Sequence, residues 1–227
     1  MCTVTYLPLD NDNFILTSNR DETPLRKTVP PKKYIENGVE ITYPKDALAG
    51  GTWIGLSEKK RLVCLLNGGF TIHKRKSSYK MSRGIIVKNI LTNNQALHYI
   101  KTFDFTDIEP FTLVFVDWTV NLATYELVWN GETKHFQKLP QEPKIWSSST
   151  LYSNEMKELR KRWFADFLEH HKEYNQQEIV AFHKNETLGT IDISPKMKRE
   201  FVETVSITSV KKIASEIDMS YIDFLEK

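Results

Sequence analysis

The first twenty-two residues constrain this chain more than any other stretch. A cysteine, Cys2, follows the initiator methionine, and a compact Asn19-Arg20-Asp21-Glu22 cluster arrives one hairpin later. Residues 2–6 alternate small or polar with apolar side chains, which is the period of a strand. Residues 9–13 are a run of turn formers, and residues 14–17 read as the antiparallel return strand. Such a return brings residues near Ser18 to Arg20 back beside Cys2.

Chemistry follows from that juxtaposition. Cys2 is small enough for removal of Met1 to be expected, which leaves a thiol and a free α-amine on one residue. An α-amine with its ordinary pKa of about 7.7–8.0 is an adequate base at neutral pH. A thiol of ordinary pKa near 8.5 ionises more readily beside a guanidinium such as that of Arg20. Nucleophile, base and orienting charge then come from one hairpin. The bland alternative is an ordinary terminal cysteine followed by a solvated loop, and the hairpin partner tips the balance towards reactivity.

Met1-Cys2-Thr3 together with Ser18-Asn19-Arg20-Asp21-Glu22 resembles the opening of the NRDE family, also called TANGO2-like (transport and Golgi organisation 2). That family is grouped with the N-terminal nucleophile (Ntn) hydrolase fold. Three later blocks agree in order and spacing: Gly50-Gly51-Thr52-Trp53-Ile54-Gly55-Leu56, Leu65-Leu66-Asn67 and Ser82-Arg83-Gly84. The resemblance covers roughly the first half of the chain and weakens beyond it. It implies an α+β fold, a four-layer αββα sandwich of two mostly antiparallel sheets covered by helices, in a single domain over residues 1–227.

The resemblance also implies roles. Cys2 attacks an amide carbonyl, Arg20 holds the thiolate, and Asp21 bonds the α-ammonium or orients the sulfur. Asn67, at a strand end before Gly68-Gly69, offers an N–H to the developing oxyanion, although on spacing alone Asn67-Gly68-Gly69 is a turn. Asn19 holds the loop or lines the pocket. Where relatives carry a Ser-Asn pair, this chain has the hydroxyl-rich run Ser147-Ser148-Ser149-Thr150, so Ser149 and Thr150 become the candidate substrate contacts. The same run also reads as an ordinary capping segment ahead of a helix. Many relatives have an arginine near Val205, and its absence weakens the case for carboxylate recognition there. Family members are linked with haem handling or acyl-lipid metabolism. The rival to an amidase is therefore a non-catalytic binding protein for haem or an acyl-lipid ligand.

Composition excludes other classes. Hydrophobic content of 40% with 26% charged residues belongs to a soluble globular domain, and a net charge of +2 selects no partner. Lys74-Arg75-Lys76 and Arg160-Lys161-Arg162 are too short for a nucleic-acid surface and read as solvated faces. Two cysteines make no disulfide framework, and Cys64, within an all-apolar strand, reads as a buried small hydrophobe. With no signal peptide and no run long enough to span a bilayer, a cytoplasmic location is expected. No Walker sequence, dinucleotide glycine motif, zinc-ligand spacing or Gly-x-Ser-x-Gly elbow is present, so no cofactor or metal is expected. His170 and His171 are adjacent and point apart on a helix.

Local signals supply further elements. Residues 23–31, with three prolines, read as a loop. Residues 52–56 and 61–67 read as strands, as do 112–117 and 122–129, with Asn130-Gly131 a two-residue turn. Ser82 should cap a helix through residue 91, and Asn94 a second one. Residues 155–171 and 176–184 read as helices, 195–201 as a connecting helix and 203–210 as a late strand.

Overall fold

The computed structural model describes residues 3–10, 12–171 and 173–225. The first unit's hairpin is β1 (Thr3–Pro8) and β2 (Phe14–Glu22). Then follow β3 (Thr28–Glu36), β4 (Val39–Asp46), β5 (Ile54–Ser57) and β6 (Arg61–Asn67). Helices α1 (Arg83–Thr92) and α2 (Ala96–Thr102) precede β7 (Phe111–Asp117), β8 (Ala123–Trp129), β9 (Lys134–Lys138) and β10 (Lys144–Ser147). The chain closes with α3 (Asn154–His170), α4 (Gln176–His183), β11 (Glu203–Ile213) and β12 (Glu216–Asp223). Residues 1–25 with 141–227 form one compact unit, and residues 26–140 form another.

The first unit holds a five-stranded sheet in the order β10-β1-β2-β11-β12, and the second a seven-stranded meander from β3 to β9. Every pairing between these strands is antiparallel. In the first unit, Leu7, Ile15 and Ile145 share one sheet face with Phe164 and Phe167 of α3 and with Ile179 and Phe182 of α4. Each such side chain stabilises by about 1.5–3 kcal/mol when fully buried, enough to hold down an otherwise highly charged α3. In the second unit, Ile86, Val87, Ile90 and Leu91 of α1 pack on Ile41, Val63, Leu65 and Leu113. Two antiparallel sheets with helical cover make the α+β class that the resemblance implies.

Of the two expected caps, Ser82 is in place, and two further helices carry side-chain caps that were not expected. Ser82 accepts from Gly84 N, Ser153 from Met156 N and Asn175 from Glu178 N. The blocks Gly50-Gly51 and Ser82-Arg83-Gly84 turn out to be one packing device. A Cβ on Gly84 would lie 2.9 Å from both the N and O of Thr52, so α1 starts flush against that backbone.

Several expectations fail for physical reasons. The supposed loop over residues 23–31 is shorter, because β3 begins at Thr28. Pro30 and Pro31 fall where the β3–β4 register shifts, between Val29 and Lys32, on an edge strand that needs no N–H there. Gln95, not Asn94, precedes α2, while Asn94 Oδ1 accepts from Lys59 Nζ. The Asn130 turn spans four residues, since Trp129 pairs with Lys134 and Asn130 Oδ1 accepts from the N–H groups of Glu132 and Thr133. Residues 195–201 form no helix. Carbonyls at the start of that stretch already accept side-chain donors, Pro195 O from Asn19 and Lys196 O from Ser194. β12 has no counterpart in the sequence reading.

Candidate functional site

The Asn-Arg-Asp-Glu cluster is strand, not loop. β2 runs on to Glu22 because β11 pairs along its second edge, from Phe14↔Lys212 to Glu22↔Glu203. Asn19, Arg20 and Asp21 are consequently all buried. Strand alternation turns Thr17, Asn19 and Asp21 to the helix-covered face and Ser18 and Arg20 to the opposite one. Burying three consecutive polar side chains is costly unless each finds partners.

Asn19 finds them on α4 and the segment after it. Its Nδ2 donates to His183 O at 3.1 Å and to Pro195 O at 2.7 Å. Both amide hydrogens are therefore committed, and Oδ1, 2.5 Å from His183 Nδ1, accepts the ring proton. His183 Nε2 then has only a lone pair to offer, and the Thr5 hydroxyl donates to it at 2.8 Å. Complete burial, and secondarily the Arg160 charge, push the His183 pKa down to about 3. The imidazole is neutral with one fixed tautomer, and both nitrogens are engaged, so it has no lone pair left for a metal.

Arg160 corrects the sequence reading. It was expected on a solvated face, yet it is 1% exposed. From α3 its Nη1 donates to Thr3 Oγ1, its Nη2 to Ser194 O at 2.6 Å and its Nε to Ile193 O at 3.0 Å. Its Cζ lies 3.7 Å from the centre of the Tyr152 ring. The Tyr152 hydroxyl in turn donates to Asp21 Oδ2 at 2.9 Å, while Thr204 Oγ1 donates to Asp21 Oδ1 at 2.6 Å. A buried polar chain thus ties β1, β2, α3 and β11 together.

Arg20 sits beside an irregularity. β11 matches Thr204 to Asp21 but Ser206 to Arg20, so the bulge at Val205 falls between those two positions. Bulges of this kind re-aim neighbouring side chains. Thr3, the first described residue of β1, is registered against Asn19, next to Arg20. Cys2 itself lies outside the described residues, as does Met1. Asn67 ends β6 in the second unit, half-buried opposite Phe111, and the next residue anchors the turn through Gly68 N to Pro110 O. Ser149 is buried and accepts from Lys157 Nζ at 2.7 Å, and the hydroxyls of Ser148 and Thr150 bond each other at 2.9 Å. Burial, then the nearby Lys161 charge, lowers the Lys157 pKa.

Sequence reasoning missed Thr3, Thr5, Tyr152, Arg160, His183 and Thr204. One signal existed: Arg160 stands four residues before Phe164 and seven before Phe167, on the apolar stripe of α3.

The architecture is the Ntn-hydrolase fold. Superposition finds the Caenorhabditis elegans ortholog of N-acylethanolamine-hydrolyzing acid amidase with a TM-score of 0.60, 13% identity and 92% of each chain covered. A variant of the conjugated bile acid hydrolase from Clostridium perfringens covers 98% of this chain and 92% of its own, at 11% identity and a TM-score of 0.49. Penicillin V acylase from Agrobacterium tumefaciens gives 12% identity and a TM-score of 0.48 over 99% of this chain and 86% of its own. The likeness to the Caenorhabditis elegans amidase, at 13% identity, establishes the fold alone. The family follows from the sequence: the Transport and Golgi organisation 2 (TANGO2) description matches residues 1–221, and the chain belongs to that family. No curated protein matches it. Among the described residues, no helix is long and apolar enough to cross a membrane, and no cluster of three metal-ligating side chains occurs.

Proposed function

We propose that the protein is an N-terminal-cysteine amidohydrolase that cleaves a linear amide bond of a small or acyl-type substrate, with Cys2 as nucleophile after Met1 removal. The observation that carries this reading is the β1–β2 register, which sets Thr3 against Asn19, the residue before the buried Arg20. The named activity of the amidase from Caenorhabditis elegans, which shares the fold, supports the substrate class.

Cys2 Sγ attacks the amide carbonyl and its proton passes to the residue's own α-amine. The family resemblance assigns the N–H donor for the tetrahedral oxyanion to Asn67. The C–N bond breaks as the α-ammonium protonates the departing amine, leaving a thioester that water hydrolyses with the same amine as base. Arg20 stabilises the thiolate. Asp21, held in place by Tyr152 and Thr204, orients the α-ammonium. Asn19 is a positioning residue, committed to His183 and Pro195. Ser149 and Thr150 supply hydroxyls to the substrate.

The test has three readouts. Intact mass of natively expressed protein should show Met1 absent. Iodoacetamide should alkylate Cys2 far faster than the fully buried Cys64, and Arg20→Ala should slow that reaction. An N-acyl amide should trap a thioester on Cys2. A retained Met1, or a Cys2 that reacts like a peptide thiol indifferent to Arg20, would replace this reading with a binding protein that holds an acyl-lipid or haem ligand without turnover.

A further inference from the structure

The second unit contains a cavity of about 630 Å³ between the segment after β6, the start of α1 and the β4–β5 turn. Its wall is rich in donors and poor in acceptors. Arg26, Arg75, Lys76 and Arg83 all line it, with Tyr79 and Ser82. The Tyr79 oxygen accepts the Lys76 backbone N–H at 2.9 Å, and Ser82 Oγ accepts Gly84 N at 3.3 Å. Each of those hydroxyls keeps its own proton to donate.

The charges do not balance within the wall. Arg26 pairs with Asp46 and Lys76 with Asp107. That leaves Arg75, Arg83 and His73 around one carboxylate, Glu109. Arg83 Nη2 stands 3.1 Å from Glu109 Oε2, but Arg75 Nε approaches Oε1 only to 3.7 Å, beyond hydrogen-bond range. The Arg75 side chain is 78% exposed, so it can turn towards an incoming ligand. Burial, together with the fields of Arg75 and Arg26, lowers the Arg83 pKa against the opposing pull of Glu109. An anion in this cavity would relieve the crowding of like charge.

We infer that this cavity binds the phosphate group of a small molecule, with Arg75 as a forked donor, the Arg83 hydrogens not taken by Pro110 O and Glu109 beside it, and the Tyr79 and Ser82 hydroxyls completing the shell. Guanidinium forks match phosphate oxygens two at a time, and an oxyanion supplies the acceptors this wall lacks. The phosphate could belong to a soluble monoester or to a lipid headgroup. Ile72 and Phe70, exposed two and four residues before Lys74, make the second source worth a separate arm.

Calorimetric titration with inorganic phosphate, against chloride at matched ionic strength, tests the site in the full-length protein. Arg75→Ala should weaken binding by roughly tenfold or more, the loss of one charge-assisted contact. Lys74→Ala, on the same exposed segment but outside the lining, should change it by less than about threefold, since a solvated charge that makes no direct contact is weakened by water and salt. Glu109→Gln should tighten binding by removing the competing anion. Co-sedimentation with phosphatidylcholine vesicles doped with phosphatidic acid separates the sources: recruitment lost in Arg75→Ala assigns a headgroup, and phosphate binding without recruitment assigns a soluble ligand. The inference fails if neither probe binds. It also fails if Arg75→Ala and Lys74→Ala weaken binding equally, which would mark diffuse surface charge.

Discussion

Asn19 and His183, 164 residues apart in the chain, hold each other twice: the carboxamide oxygen accepts the ring Nδ1–H at 2.5 Å, and the carboxamide nitrogen donates to the histidine's own carbonyl at 3.1 Å. This double tie fixes the tautomer of a neutral buried imidazole. It also joins the last residue of α4 to the residue preceding Arg20.

Acid should therefore destabilise the protein through His183. The unfolded ring titrates near 6.5, and the folded one at about 3. Between those values the unfolded state carries one more proton, so stability is full above about pH 6.5 and falls as pH drops towards 3. The slope from this group is about 1.4 kcal/mol per pH unit. Urea midpoints measured down this range should converge for wild type and His183→Gln, because the variant lacks that proton.

Asn19→Ala should cost about 3 kcal/mol or more. It strands the His183 Nδ1–H and leaves the carbonyls of His183 and Pro195 without that donor, and each buried orphan costs about 1–3 kcal/mol. Asn19→Asp should not rescue it, since a carboxylate would face the same two carbonyls. Chemical denaturation with an unchanged m-value would confirm the loss.

Arg160→Lys should be nearly as damaging as Arg160→Met. A single ammonium cannot reproduce a fork that reaches Thr3, Ser194 and Ile193 while stacking on Tyr152. Arg160→Met should also raise the His183 pKa, because the guanidinium charge helps to depress it. Proton NMR of the imidazole in the two variants measures that shift directly.

Gly84→Ala should destabilise by about 1–3 kcal/mol, the usual range for overpacking. The added methyl meets the Thr52 backbone at 2.9 Å and can be relieved only by moving α1. A reduced melting temperature together with lost hydrogen-exchange protection in α1 would show it.

Periodicity and caps made much of this fold legible. The apolar pattern of residues 61–67 and 112–117 is that of internal strands, and β6 and β7 are the fourth and fifth of seven. Ser82 carried the start of α1. The limits arose where a polar side chain lies in a buried position. Residues 19–22 look the same in a solvated loop as in a covered strand, and β11, some two hundred residues later, decides between them.

Sequence by itself determined the opening hairpin, because alternation and turn formers act between near neighbours, and its motif blocks carried the family and, through that resemblance, the α+β class. Only the tertiary structure decided that Arg160 is interior, that burial keeps His183 neutral and that Asn19 is committed to His183 and Pro195. Each of those outcomes depends on donors and acceptors from distant segments meeting where water is excluded. A local pattern records which face of an element is apolar, but it holds no record of the partner that makes a buried polar group tolerable.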